Sequence, residues 1–77
     1  MSAQFLHQVG VTLYGEGEHW IARLAEDLGV NERTMRRWLG SESAIPGRVW
    51  DELINIAIGR AREIADLVPK IEQAKSR

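Results

Sequence analysis

The chain has 77 residues, no cysteine, and ten Lys and Arg against eleven Asp and Glu, with 44% hydrophobic and 27% charged residues. That length admits one small domain, and the absence of cysteine excludes a disulfide framework or a thiolate metal site. A core this small rarely supplies more than ~3–5 kcal/mol, so oligomerisation is an expected further source of stability.

No run approaches the ~18 apolar residues of a membrane helix, and the N-terminus lacks the basic-then-apolar pattern of a signal peptide. A cytoplasmic protein with no membrane partner is expected, and a chain without cysteine fits a reducing compartment. The charge is unevenly placed. Residues 1–30 carry one Arg against four acids, residues 31–48 four Arg against two Glu, and residues 49–77 five of each sign. The short central segment is therefore the net-positive one.

In chain order, Phe5, Leu6, Val9, Leu13 and Tyr14 share a helical face and predict a helix over Ser2 to Tyr14, with Gly10 a weak point inside it. Gly15-Glu16-Gly17 breaks the pattern. Trp20, Ile21, Leu24, Ala25 and Leu28 predict a second helix over Glu18 to Leu28, stopped by Gly29. Asn31 is a good N-cap for a third helix, with Glu32 in its first turn where the helix dipole favours negative charge. Met35, Trp38 and Leu39 lie on one side of it and Arg33, Arg36 and Arg37 on the other, and Gly40-Ser41-Glu42-Ser43 ends it. Pro46 suits the first turn of a fourth, long helix, whose apolar positions recur at three and four from Val49 onward. Pro69 is expected to end or kink that helix at Val68, leaving residues 70–77 frayed. With no segment reading as a strand, the fold class is all-α: a small four- to five-helix domain with a central helix-turn-helix over 1–58, and a C-terminal helical extension over 59–77.

The stretch from Ile21 to Gly40 carries the chemistry. Two short helices meet at a tight turn whose corner is Gly29, free to adopt positive φ. Leu24, Leu28, Val30, Met35 and Trp38 are expected to be buried, with Ala25 where a larger side chain would force the helices apart. The Leu-Ala-x-x-Leu-Gly-Val run followed by Arg-Thr-x-Arg-Arg-Trp resembles the helix-turn-helix of the phage-repressor-like DNA-binding family, specifically over residues 20–40 and more loosely over 5–58. The resemblance implies that Asn31, Glu32, Arg33, Thr34, Arg36 and Arg37 face DNA. Asn31 stands where Ser or Thr is commoner, and Glu32 puts an acid at the tip that approaches DNA. An α-helix fits the ~12 Å major groove, where Arg reads a guanine edge and Glu accepts from cytosine N4. Arg48, in the same net-positive segment, is counted with the contacts. Trp20, Trp38 and Trp50 read most economically as core; Trp20 is also a candidate at the groove edge, its N–H reaching a phosphate.

Other features carry no site. Glu16, Glu18 and His19 lie among glycines and read as a solvated loop, and His7 as a surface residue. Glu26 and Asp27 point about 100° apart and make no acid–base pair. No metal, cofactor, small-molecule ligand or enzymatic activity is expected.

The expectation is a sequence-specific, dimeric transcriptional regulator of phage or bacterial type, a repressor acting on an operator with an inverted repeat. The alternative is a phage assembly or packaging-type oligomer that uses the same motif. Dimerisation is expected along the fourth helix, through Ala57, Ala61, Ile64, Leu67, Val68 and Ile71. The apolar stripe of this helix runs through Trp50, Leu53, Ala57, Ala61, Ile64, Leu67 or Val68 and Ile71 at the spacing of a two-helix seam. Its first part, chiefly Trp50, Leu53 and Ala57, is expected in the domain core, while Ile64, Leu67 and Ile71 lie too far along to reach it.

Overall fold

The computed structural model describes residues 2–17 and 19–76, and over them the chain is all-α. Four helices follow in order: α1, Ala3–Tyr14; α2, Trp20–Leu28; α3, Glu32–Leu39; and α4, Gly47–Lys75. Ser2 caps α1, its hydroxyl accepting from the Phe5 N–H at 3.2 Å. The expected start of α2 at Glu18 lies outside the described residues, and the helix runs from Trp20.

The core is built from every helix. Leu6 of α1, Trp20, Leu24, Ala25 and Leu28 of α2, Met35 and Trp38 of α3, and Val49 and Leu53 of α4 are all buried. Val30, expected inside, is half-buried at the edge of this cluster. Helix α1 packs on both α2 and α3, and α4 closes the domain by packing on α2.

Three expectations about α4 need correction. Pro46 is its N-cap, so the helix begins at Gly47. Pro69 does not end it: α4 runs for 29 residues to Lys75. Proline's own φ of about −65° is helical, and the lost N–H removes a single bond to the Ala65 carbonyl while the bonds on either side persist. Residues 70–75 are accordingly helical rather than frayed. Ala57 is exposed, and Ile56 takes the half-buried place beside the core.

A polar tie joins three helices at the far end of the domain. The Tyr14 hydroxyl donates to Asp27 Oδ2 of α2. Arg60 of α4 lays its guanidinium over the Tyr14 ring, 5.2 Å from the centroid, and donates from Nη1 to the Leu13 carbonyl at 3.2 Å. That carbonyl is in the last turn of α1, where a cation also meets the negative end of the helix dipole. Beyond Arg60 every described residue of α4 is exposed.

Candidate nucleic-acid interface

The turn between α2 and α3 is fixed by backbone hydrogen bonds. Gly29 has φ +72°, its N–H donates to the Glu26 carbonyl at 3.1 Å, and the Val30 N–H donates to the Ala25 carbonyl at 2.9 Å. This is a Schellman motif, which needs a left-handed residue at its corner. Nothing lies within 4 Å of where a Gly29 side chain would begin, so glycine is required there for φ and not for space. Two residues on, the Asn31 side chain accepts from the Thr34 N–H at 2.7 Å and starts α3. Ala25 is 2% exposed, which leaves no room for a longer side chain where α2 lies deepest in the domain.

These constraints set the rotation of α3. Met35 is fully buried and Trp38 is 5% exposed, so the opposite side must face out. Arg33, Arg36 and Arg37 are exposed there, and at 100° per residue they span an arc of roughly 100°. Among the described residues none of the three is in an ion pair. Three unneutralised guanidinium groups thus share one face of a helix anchored from behind. Asn31 and Glu32 are exposed at its N-terminal tip, and Thr34 is half-buried at the margin of the arginine face.

Two expected members of the site differ from these. Arg48 is exposed but pairs with Glu52 one turn on, Nη1 to Oε1 at 2.7 Å. An exposed pair of this kind holds with about 1 kcal/mol or less, so a phosphate can compete for the guanidinium. Trp20 is 7% exposed and belongs to the core, its ring lying on Gly10 and meeting the His7 ring in a T-shaped pair at 5.1 Å between centroids. His7 is exposed, as expected.

At its other end α3 closes with a second Schellman motif, which the sequence conceals. The Ser41 N–H donates to the Trp38 carbonyl at 3.1 Å and the Glu42 N–H to the Arg37 carbonyl at 2.9 Å. The corner residue is Ser41, at φ +59°, while Gly40 beside it has ordinary φ of −87°. Among the described residues no three metal-ligating side chains cluster, and the loop of Gly15, Glu16 and Gly17 is exposed.

The residues expected to pair two chains are all on α4 and all exposed: Ala57, beside the domain, then Ala61, and Ile64, Leu67, Val68 and Ile71 at 57, 50, 50 and 61%. Leu53 is 4% exposed, inside the domain core as expected, while its neighbour Ile54 is 57% exposed and lies on the outer face. No protein-family model, curated protein or solved structure matches the chain.

Proposed function

We propose that the chain is a sequence-specific double-stranded-DNA-binding transcriptional regulator acting as a homodimer, with α3 as its reading helix and repression by operator occupancy as its mode. The observation that supports this most directly is the exposed, unpaired face of Arg33, Arg36 and Arg37 on a helix whose rotation Met35 and Trp38 fix. A helix held in this way can enter the major groove with its backbone already fixed, so the ordering left to binding is that of the arginine side chains themselves. Arg36 and Arg37 lie on either side of the outward direction, one suited to a base edge and the other to a flanking phosphate. Glu32 at the tip selects against sites that place a phosphate there and favours a cytosine N4 donor.

The test is footprinting of the purified protein on the DNA upstream of its own gene. Protection of an inverted repeat with half-sites about one helical turn apart is the expected result. Uniform, sequence-independent protection, or none, would overturn the regulator reading. A sedimenting mass well beyond a dimer would turn it toward an assembly protein.

A further inference from the structure

The chain exposes more surface than its mass warrants. Its accessible area is 5808 Å², whereas a compact monomer of 8.7 kDa exposes about 4,700 Å², an excess of about 1,100 Å². Its radius of gyration is 15.1 Å against about 11.5 Å for a compact domain of this length. The excess comes from the outer half of α4, which projects from the domain and draws the molecule out to 53 Å. That excess is similar to the ~800 Å² per partner that a stable interface buries.

The projecting surface is patterned. From Ile54 through Ala57, Ala61, Ile64 and Val68 to Ile71, the steps along the exposed face alternate three and four, the spacing of a two-helix seam. At the domain end the face continues into a groove between α1 and α4, lined by Phe5, Val9, Trp50, Leu53, Ile54 and Ala57 with no polar surface. Phe5 and Trp50 pack against each other along it, their ring centroids 5.9 Å apart.

We propose that a second copy of this chain covers the face, α4 against α4 in antiparallel orientation, with the projecting end of each α4 lying in the other's α1–α4 groove. The order of side chain sizes selects this direction. In a parallel pair each residue meets its own copy, so Ala57 and Ala61 form two thin layers while Ile54, Ile64, Val68 and Ile71 form four thick ones. In the antiparallel register Ile54 meets the partner's Ile71, Ala57 meets the partner's Val68, and Ala61 meets the partner's Ile64. The four central layers then each set an alanine against a larger residue, which keeps the helix separation even there, and the two Ile54–Ile71 layers fall at the ends. The same register brings Ile71 of the partner subunit to the groove, where a parallel pair would leave it far from any domain.

The geometry also deepens the proposed function, and this part alone rests on that reading. Val49 and Leu53 anchor each α4 in its domain, and the register sets the two anchors about 34 Å apart at ~1.5 Å per residue. Half-sites one turn apart are separated by about 34–36 Å.

The chain has no cysteine, so introduced thiols report the pairing without interference. Ile54→Cys and Ile71→Cys, both at exposed positions, are mixed and oxidised, beside each variant alone. The mixture is expected to give the covalent dimer faster than Ile71→Cys with itself. The reverse order would overturn the antiparallel arrangement. Sedimentation of the unmodified chain as a monomer at micromolar concentration would overturn pairing on this face altogether, as would a dimer that Ile71→Asp leaves unweakened. A failure to bind DNA would change none of these readings, so the two proposals fail separately.

Discussion

The indole of Trp20 lies so close to Gly10 that a Cβ on that glycine would stand 2.2 Å from both Cε3 and Cζ3. The glycine that weakens α1 by propensity is therefore the one that lets α2 dock on it. In an open helix Gly→Ala gains up to ~1 kcal/mol. Here the sign reverses, because the ring is 7% exposed and held by the rest of the core. Gly10→Ala is expected to destabilise the domain by ~1–3 kcal/mol, the range of core overpacking. A denaturation midpoint equal to or above that of the unaltered chain would contradict the close approach.

Ser41 offers the opposite change. A left-handed conformation costs a non-glycine residue roughly 1–2 kcal/mol, and Ser41 adopts it at the C-terminus of α3. Ser41→Gly removes that strain but gives the unfolded chain more freedom, so a net gain of about 0.5–1 kcal/mol is expected. The same change at Gly40, already glycine at ordinary φ, is unavailable to the protein. A lower melting temperature for Ser41→Gly would show that the Ser41 side chain supports the turn in some other way.

Tyr14 gives a pH dependence. Burial, and then the hydrogen bond to Asp27, push its phenol well above the ordinary value near 10 despite the Arg60 guanidinium over the ring. A folded pKa above the unfolded one means that the contribution is present in full below about pH 10 and is lost as the pH rises through the raised folded value. Tyr14 is the sole tyrosine, so phenolate absorbance reports it alone. Native protein is expected to titrate at higher pH than protein in denaturant, and Tyr14→Phe to flatten the alkaline loss of stability. Coincident titration curves would show that the bond to Asp27 is not held in solution.

Much of this architecture is legible in the sequence because each helix end has its own chemical mark. Gly29 and Asn31 delimit the turn, and Met35 and Trp38 fix which side of α3 turns inward, hence where Arg33, Arg36 and Arg37 point. The misreadings have physical causes. Ile56 and Ala57 both lie at helical spacing from Leu53, and only packing decides that Ile56 turns toward the core and Ala57 outward. Pro69 carries a local signal against helix, but one missing bond does not stop a helix with intact turns on both sides. The corner at Ser41 is hidden because Gly40, the residue that signals such a corner, is next to it. Tyr14, Asp27 and Arg60 are too far apart in sequence for their tie to be foreseen.

The arginine face separates into two kinds of contact that mutation can tell apart. Arg36→Ala with Arg37→Ala is expected to abolish specific binding at moderate salt while leaving the melt unchanged, since both side chains are exposed. Taken singly, loss of a base-reading arginine should cost ~1–3 kcal/mol and relax the preference at one base pair. Loss of a phosphate-gripping one should weaken all sequences alike and reduce the slope of log K against log salt by about 0.9. Binding isotherms over a salt series for the two single variants assign the roles. Specific binding that survives the double change would remove α3 as the reading helix.

Pro69 tests whether the projecting half of α4 is valued for its helix. It lies among exposed residues and off the Ile54–Ile71 seam, so replacing it touches neither the core nor the proposed contact. Proline inside a helix costs ~3 kcal/mol relative to alanine. That cost falls on the outer turns, which have no domain behind them to hold their shape, and it reduces the fraction of chains whose seam is in order for pairing. Pro69→Ala is therefore expected to raise helicity and tighten the dimer, because less ordering remains to be done on association. In a chain that also carries Ile64→Asp and Leu67→Asp, both on the exposed seam side, a monomer is expected, and Pro69→Ala should then raise helicity alone. Circular dichroism and sedimentation on the four variants separate the effects. A Pro69→Ala chain that is more helical yet pairs more weakly would mean that the proline shapes α4 for its partner, and the straight antiparallel seam would have to be abandoned for a bent one.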